Sequence, residues 1–365
     1  MPIPSVLQFG TSRFLQAHVD LFLSEAAPEA RPVTVVQTSG DPSRAGRVAA
    51  LAAGYDVKIR GLLDGRRIDE LRRVNAIHRG LSLGADLAEV EHLVAHEAEI
   101  ILSNTADAGF RPQPVDHAAT FDLGMSYPAK LAHLLRLRYA AGGAGVQVIP
   151  TELVRNNGTV LRDLVLEVAK GMEPAYREWL MTEVIWVNSL VDRIVSEPLH
   201  PAGAIAEPYA LWAIEDQPGL KLPCEHPSIQ VVSDLGPVER QKLFVLNLGH
   251  TWMVSDWMAR GRSGATYVRD VMADREPADR LRDLYANEVA PGFVAAGEAD
   301  GIAAYIAATC ERFANPFLDH KLEDIAQNHS EKLNRRIAAF VDWARAQGDT
   351  GDKPMLQAAL ERNGS

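Results

Sequence analysis

The sequence predicts an α/β protein in which a doubly wound sheet of parallel strands precedes a mostly α-helical domain. Three observations lead to this fold class. Short β-branched runs alternate with helical patterns in the first half, as in βαβ units. Prolines then cluster over residues 198–227, where the alternation stops. Long helical patterns fill the remainder, and 365 residues suffice for two domains.

The first domain is predicted to span residues 1–191. Its first strand, residues 5–9, is an apolar run that stops at Gly10, and a helix over 14–26 follows with its apolar side chains on one face. Residues 55–60 and 72–79 are predicted to form an antiparallel insertion. Further strands are predicted at 32–38, 99–103, 146–150 and 184–188, and helices at 44–53, 86–96, 128–139, 157–170 and 173–181.

The second domain is predicted to span residues 192–365 and to carry the substrate and catalytic groups. It opens with Pro-rich segments that are typical of loops. Helices are then predicted at 238–260, 267–272, 277–284, 301–312, 318–328, 330–347 and 353–362.

The composition argues against several classes of function. With 37 basic and 48 acidic side chains the net charge is −11, which gives no attraction for nucleic-acid phosphates. The longest uncharged stretches, 139–151 and 243–255, have 13 residues each and cannot span a bilayer. Residues 1–5 lack the basic region of a signal peptide, and two cysteines make no disulfide framework or zinc set. We therefore predict a cytoplasmic protein without nucleic-acid or membrane partners.

Gly10, Thr11, Ser12, Arg13 and Phe14 join the first strand to the first helix. In a Rossmann-like domain this turn holds the diphosphate of a dinucleotide, because its glycines let backbone amides and a helix N-terminus approach the phosphates. Only the first glycine of the usual three is present here. An ordinary strand-to-helix turn is therefore the alternative.

Two more strand ends carry candidate cofactor contacts, because ligands bind at the carboxyl ends of such strands. The second strand ends at Thr38 without the acidic residue that usually holds the adenosine ribose, and Arg44 and Arg47 follow closely enough to meet a 2′-phosphate. The choice between NAD and NADP is therefore open. Asn104 and Thr105 close another strand, with a plain Asn/Thr turn as the alternative.

Lys242, Asn247 and His250 form the sharpest cluster of reactive side chains. They lie in or beside the apolar segment 243–254, and on an α-helix Asn247 and His250 fall about 140° and 80° from Lys242. Burial beside this segment would lower the pKa of the lysine and suit it to acid–base catalysis. The amide and the imidazole could then hold a carbonyl oxygen. The alternative is an amphipathic helix with a solvated lysine and a core histidine.

The remaining clusters are less specific. His92 and His96 are four residues apart on a predicted helix, but no third ligand accompanies them, so we predict no metal site. Lys332 and Arg335 begin a basic helix that could meet a substrate carboxylate, with an exposed helical face as the alternative.

The spacing Lys242-x4-Asn247-x2-His250 resembles the catalytic signature of the polyol-specific long-chain dehydrogenases, the mannitol dehydrogenase family. Other segments resemble the family in the same order along the chain, over roughly residues 5–340. They are the cofactor turn 7–18, the sheet-edge segments 103–109 and 127–131, and the segments 149–158, 188–194 and 312–320.

This resemblance implies metal-independent hydride transfer between NAD(H) or NADP(H) and the carbonyl of a ketose or a keto sugar acid. Lys242 would be the general acid in reduction and the base in oxidation, while Asn247 and His250 would bind and polarise the reacting oxygen. Val191 and Asp192 would flank the nicotinamide and the substrate. Lys332 would contact the far end of the substrate.

Two departures from mannitol-type members count against polyol recognition. Leu153, in the run Pro150-Thr-Glu-Leu153, stands where those members carry an asparagine, and Asp324 replaces an arginine. The Pro-x-Glu-Leu form and the run Asn315-Pro-Phe-Leu-Asp-His320 resemble the tagaturonate reductase (altronate oxidoreductase) branch. We therefore predict an NAD(P)-dependent reductase of a sugar acid such as tagaturonate or fructuronate, monomeric or a small homo-oligomer. A mannitol or polyol 2-dehydrogenase and a non-catalytic dinucleotide sensor are the alternatives.

Overall fold

The chain folds into two units, seen in a computed structural model that describes residues 5–26, 32–105 and 107–362. The first unit comprises Met1–Ile59, Glu70–Ala206 and Ala210–Leu235, and the second comprises Arg60–Asp69, Glu207–Tyr209 and Gly236–Ser365. Residues 1–4 lie outside the described residues. The predicted lack of a signal peptide depends on this start of the chain. Ala106, within the predicted sheet-edge segment 103–109, lies outside the described residues as well.

Thirteen strands lie in the described residues. They are β1 (Ser5–Phe9), β2 (Val33–Gln37), β3 (Tyr55–Leu63), β4 (Arg66–Val74), β5 (Ile77–Ser82), β6 (Ala98–Ser103), β7 (Gln147–Pro150), β8 (Ile185–Trp186), β9 (Ser189–Asp192), β10 (Val195–Pro198), β11 (Gly203–Ala206), β12 (Leu211–Glu215) and β13 (Ile229–Val232). The helices of the first unit are α1 (Arg13–Gln16), α2 (Val19–Glu25), α3 (Ala45–Ala52), α4 (Leu87–His96), α5 (Tyr127–Ala140), α6 (Asn157–Val168) and α7 (Pro174–Thr182).

A six-stranded sheet in the order β5-β2-β1-β6-β7-β8 organises the first unit, and all of its strand pairs are parallel. This confirms the predicted Rossmann-like fold. The chain runs outward from β1 in one direction and from β6 in the other, so the carboxyl ends of these two strands form the point where ligands bind in such sheets. The central strands β1 and β6 are almost entirely buried because both faces of a parallel sheet are covered.

Several predicted elements are wrong in detail. The helix predicted over 14–26 is divided into α1 and α2. The segment predicted at 72–79 belongs to two strands, since β4 lies beside β3 in a four-stranded sheet and β5 joins the parallel sheet. The Pro-rich region predicted as loops contains β10–β13. Its strands have four or five residues, too short to show an alternating pattern.

The predicted division at residue 192 falls inside the first unit, because β9 pairs antiparallel with β12 in a three-stranded sheet. Assignment of the cofactor to residues 1–191 and of the substrate to residues 192–365 stays a prediction.

Helices build the second unit, as the sequence predicts. They are α8 (Gly236–Gln241), α9 (Leu248–Ala259), α10 (Val268–Ala273), α11 (Arg275–Leu284), α12 (Ala290–Ala295), α13 (Ile302–Phe313), α14 (Leu322–Ile325), α15 (His329–Lys332), α16 (Ala339–Ala346) and α17 (Pro354–Glu361). Within the described residues, no helix of either unit combines the length and the apolar character that a membrane span requires.

Three π-helical segments, which the sequence analysis did not predict, interrupt this helical unit. They are Lys242–Asn247, Tyr285–Val289 and Leu333–Ala338, and the first contacts both of the others. A π-turn is rare and often marks a functional site. The helix predicted over 238–260 is therefore two α-helices joined by a π-turn, and the helix predicted over 330–347 is divided in the same way.

A buried ion pair links α13 to a distant part of the sequence within the second unit. Arg312 donates from Nη2 to Glu207 Oε1 at 2.8 Å and from Nε to both carboxylate oxygens, and both side chains are almost fully buried. The guanidinium also lies 4.3 Å from the ring centroid of Tyr209. The segment Glu207–Tyr209 therefore supplies the counter-charge of the helical core.

Asp20 on α2 carries a buried carboxyl group whose effect on stability should depend on pH. Its carboxylate is buried and accepts a hydrogen bond of 2.8 Å from the Tyr55 hydroxyl, and burial raises its pKa to about 6. At pH 7.5 the folded protein must therefore keep a buried charge, whereas at pH 4 the carboxyl is protonated when folded. We expect Asp20→Asn to stabilise the protein by up to about 3 kcal/mol at pH 7.5 and by much less at pH 4.

Calorimetric unfolding of both proteins at the two pH values measures this difference. An equal effect of Asp20→Asn at both pH values would show that the carboxyl does not carry a buried charge.

Candidate active site

A pocket of about 450 Å³ lies at the carboxyl end of the parallel sheet in the first unit. This volume is in the range of small-molecule and cofactor sites. The described residues that line it are Gly10, Thr11, Ser12, Arg13, Gln37, Thr38, Ser39, Arg44, Arg47, Asn104, Thr105 and Pro198. Seven of the eight predicted cofactor contacts are therefore together. The eighth, Phe14, stacks on the His18 ring at a centroid distance of 4.8 Å.

Gly10 is required where β1 and β6 come together. Its φ of +114° favours glycine, and a β-carbon there would lie 2.4 Å from the carbonyl oxygen of Asn104. The backbone of the turn thus runs directly against the end of β6. A side chain at Gly10 would displace the floor of the pocket.

Ser12 stands at the second glycine position of the dinucleotide turn. Its hydroxyl accepts a hydrogen bond of 3.1 Å from the Leu15 amide and so caps α1. Because α1 has only four residues, its dipole is small, and little of the predicted helix attraction for phosphate is available. The positive charge of the pocket must come from side chains.

Three arginines supply that charge. Arg13, Arg44 and Arg47 line the pocket, and no Asp or Glu is among its described lining residues. Burial, together with Arg44 and Arg13, lowers the pKa of Arg47. Asp41, beside the lining, pairs with Arg44 at 3.5 Å and also accepts hydrogen bonds from the Ser43 amide and hydroxyl at 3.0 and 2.7 Å, so it offsets part of this charge. The pocket therefore favours an anion such as the phosphates of a dinucleotide.

Glu152 is a residue that the sequence analysis missed as part of this site. Its carboxylate accepts hydrogen bonds of 2.8 Å from the Thr105 amide and 3.0 Å from the Ser103 hydroxyl. Burial is the largest influence on Glu152 and raises its pKa. Asn104 donates from Nδ2 to the Thr151 carbonyl at 3.0 Å. These bonds join the ends of β6 and β7 and hold Asn104 and Thr105 at the pocket.

The predicted substrate contacts Val191 and Asp192 end β9 in the first unit. Both side chains are buried, and they lie opposite Trp212 and Leu211 of β12. Leu153, in contrast, is 68% exposed. The sequence did not indicate that Val191 and Asp192 would be buried and Leu153 exposed.

In the second unit the π-turn Lys242–Asn247 changes the geometry expected for the reactive cluster. The Leu248 amide donates to the carbonyl of Leu243, a step of five residues rather than four. Lys242 and Asn247, also five residues apart, therefore come to one side of the helix, closer than the α-helical angle predicts. His250 follows Asn247 by three residues on α9 and is its helical neighbour. Lys242 and Asn247 are half-buried.

Side chains from the other two π-segments bond to carbonyls of this turn. The Tyr285 hydroxyl donates to Val245 at 2.9 Å, and Arg336 Nη1 approaches the Asn247 carbonyl at 3.4 Å. Gly249 makes the first contact possible, because a β-carbon there would lie 1.9 Å from the Tyr285 hydroxyl oxygen. The Tyr285 hydroxyl therefore anchors the π-turn, and the Arg336 guanidinium lies beside its end.

His250 is buried against aromatic rings. The ring centroids of Phe313 and His320 lie 4.4 and 4.8 Å from its own. Burial is the largest cause that lowers its pKa well below the ordinary value, and His320, Arg312, Arg336 and Lys332 add to it. His250 is thus neutral at pH 7, with one N–H available as a donor.

Lys332, predicted to contact the substrate, lies at the end of α15. Its ammonium donates to the Ile325 carbonyl at 2.7 Å, and burial and Arg336 lower its pKa. The other basic residue of the predicted helix, Arg335, is 76% exposed and pairs with Glu331 at 3.2 Å. Lys332 therefore faces the protein and Arg335 faces solvent.

Comparison with known proteins matches both units of the chain. Residues 4–225 match the Mannitol dehydrogenase Rossmann domain, and residues 234–359 match the Mannitol dehydrogenase C-terminal domain. The chain belongs to the mannitol dehydrogenase family. This confirms the resemblance seen in the sequence.

Two relatives place the chain near one branch of the mannitol dehydrogenase family. An altronate oxidoreductase of Bacillus subtilis is 30% identical over 379 residues, covering 95% of this chain and 77% of the relative. An altronate oxidoreductase of Klebsiella pneumoniae is 31% identical over 370 residues, covering 91% and 73%. The predicted resemblance to the altronate oxidoreductase branch is therefore confirmed.

Solved structures confirm the fold of the mannitol dehydrogenase family in this chain. A D-sorbitol dehydrogenase in substrate-free form has a TM-score of 0.84 at 22% identity, covering 98% of this chain and 80% of that chain. A Pseudomonas fluorescens mannitol 2-dehydrogenase, in a ternary complex with NAD and D-mannitol, has a TM-score of 0.71 at 18% identity, covering 98% and 78%.

Gly249→Ala tests the dependence of the π-turn on Tyr285. The added methyl group must displace the Tyr285 hydroxyl and break its bond to Val245, so we expect a loss of about 1–3 kcal/mol in stability. Calorimetry measures the change. Gly46→Ala on α3 is the matched control, because among the described residues nothing beyond its chain neighbours and its own helix backbone lies within 4 Å of the added carbon. It should stabilise the protein by about 0.5–1 kcal/mol. Equal effects of the two changes would contradict the role of Gly249.

Proposed function

We propose that this chain is an NAD-dependent oxidoreductase that reduces the keto group of a sugar acid such as tagaturonate or fructuronate. The reverse reaction oxidises the hydroxy acid. The observation that carries the proposal is the π-turn that brings Lys242 and Asn247 to one side of a helix, beside the neutral His250. The altronate oxidoreductase relatives support a sugar-acid substrate.

The pocket of the first unit fits a dinucleotide. Gly10 leaves room for close backbone approach, and of the three lining arginines Arg44 pairs with Asp41. A dinucleotide bound there would supply the hydride chemistry: oxidised NAD would take a hydride in oxidation of the alcohol, and NADH would give one in reduction of the keto group. The mannitol 2-dehydrogenase complex with NAD supports this cofactor. Arg44 and Arg47 keep NADP as the alternative, since arginine there can bind a 2′-phosphate.

Lys242 moves the proton. In reduction its ammonium protonates the substrate oxygen as the carbonyl becomes an alcohol, and in oxidation its amine removes that proton. The Asn247 amide donates a hydrogen bond to the same oxygen and stabilises its developing negative charge. Neutral His250 adds an N–H donor without a full charge. Val191, Asp192 and Lys332 stay predicted substrate contacts.

The direct test is the change in nicotinamide absorbance with NADH and NADPH separately, against tagaturonate, fructuronate, fructose and tagatose. We expect turnover with a keto acid and little with the neutral ketoses. Turnover with fructose alone would favour the mannitol-type alternative. Cofactor binding without turnover of any compound would favour a dinucleotide sensor.

Lys242→Ala separates catalysis from cofactor binding. We expect kcat to fall by about 100-fold or more, because no other group replaces the proton donor, while the Kd of NADH is unchanged. Stopped-flow kinetics and fluorescence titration measure the two quantities. Lys170→Ala is the control, since Lys170 is exposed and pairs only with Glu167 among the described side chains. Unchanged turnover in Lys242→Ala would remove Lys242 from the mechanism.

The cytoplasmic location, the absence of nucleic-acid and membrane partners and the monomeric or small oligomeric state stay predictions.

A further inference from the structure

Several basic side chains lie close enough to His250 to act on its pKa. The groups that lower its pKa by their charge are His320, Arg312, Arg336 and Lys332. Arg312 is neutralised by Glu207. Arg336 has no such partner, because no carboxylate in the described part of the chain pairs with it. Arg336 thus carries a positive charge that no carboxylate among the described residues balances by an ion pair.

Contacts with the protein hold the Arg336 guanidinium in place but leave most of its N–H donors without a partner among the described residues. It is half-buried in the π-segment Leu333–Ala338, and Nη1 donates to the Thr251 hydroxyl at 3.0 Å and approaches the Asn247 carbonyl at 3.4 Å. A guanidinium has five N–H donors, and these bonds use only Nη1. Burial and Arg335 lower the pKa of Arg336, and no acidic group opposes them. An anionic ligand would offset this cost.

The adjacent Arg335 does not share the burial of Arg336 or its lack of an ion pair among the described residues. Arg335 is exposed, and Glu331 already neutralises it at 3.2 Å. Two neighbouring arginines of equal charge therefore differ in burial and in pairing. Arg336 alone of the two lies against the π-turn that carries Asn247.

We propose that Arg336 binds the carboxylate of the substrate through its free N–H donors and thereby selects sugar acids over neutral ketoses. Arginine suits this role because its planar fork matches the two oxygens of a carboxylate. Its contact with the Asn247 carbonyl places the bound carboxylate near the residue that holds the reacting oxygen. The assignment rests on the proposed sugar-acid reductase activity and names the residue that recognises the acid.

Arg336→Gln and Arg335→Gln remove the same charge from adjacent positions. With the wild type as reference, we would measure kcat and KM for a keto sugar acid and for a neutral ketose, and the Kd of NADH by titration. We expect Arg336→Gln to raise KM for the keto acid about 10- to 100-fold, with less than a threefold change for the ketose and for NADH. Arg335→Gln should change each quantity less than twofold, and Arg336→Lys should recover part of the affinity for the acid.

An equal loss with the acid and with the ketose would show a structural role through Thr251 and Asn247 and would overturn the proposal, as would no change with either. Both results leave the proposed activity intact. If the wild type reduces none of the keto acids, the proposed function fails, and calorimetric titration with gluconate then decides the role of Arg336 alone. Binding that Arg336→Gln abolishes supports it, and binding that is absent or unchanged overturns it.

Discussion

The π-turn Lys242–Asn247 sets the arrangement on which the candidate catalytic groups depend. A step of five residues brings the lysine and the asparagine to one side of the helix, which a regular α-helix would not do. Such a turn needs support, and the Tyr285 hydroxyl provides it from a second π-segment, while the Arg336 guanidinium of the third lies beside the end of the turn. Gly249 is the small residue that admits the tyrosine. The π-turn thus accounts for the contacts of Tyr285, Arg336 and Gly249, which lie outside the candidate catalytic motif.

The two halves of the proposed reaction rely on different physical means. In the dinucleotide pocket, side-chain charge from Arg13, Arg44 and Arg47 replaces the helix dipole that a one-turn α1 cannot supply. Around His250, burial keeps the imidazole neutral so that it can donate without adding another charge. In the proposed reaction the first site would attract phosphates over some distance, whereas the second would orient one oxygen at short range.

The sequence predicted regular elements well and irregular ones poorly. Strand β1 was predicted with its observed bounds because its apolar run ends at Gly10. The strands between residues 195 and 232 were missed because they are short and lie among prolines. The π-turns were missed because hydrophobic periodicity was evaluated with 3.6 residues per turn. Arg335 and Arg336 have identical chemistry, and only the fold distinguishes the exposed residue from the half-buried one.

The buried pair of Arg312 and Glu207 limits how the helical unit can be exchanged between proteins or produced alone. The counter-charge of Arg312 comes from the three-residue segment Glu207–Tyr209. This segment precedes the first helix of the unit, at Gly236, by more than twenty residues in the sequence. A gene fragment beginning at Gly236 would leave a guanidinium in the core without its carboxylate, which costs several kcal/mol. The helical unit is therefore not a portable module. Recombination between family members would have to carry residues 207–209 together with α13.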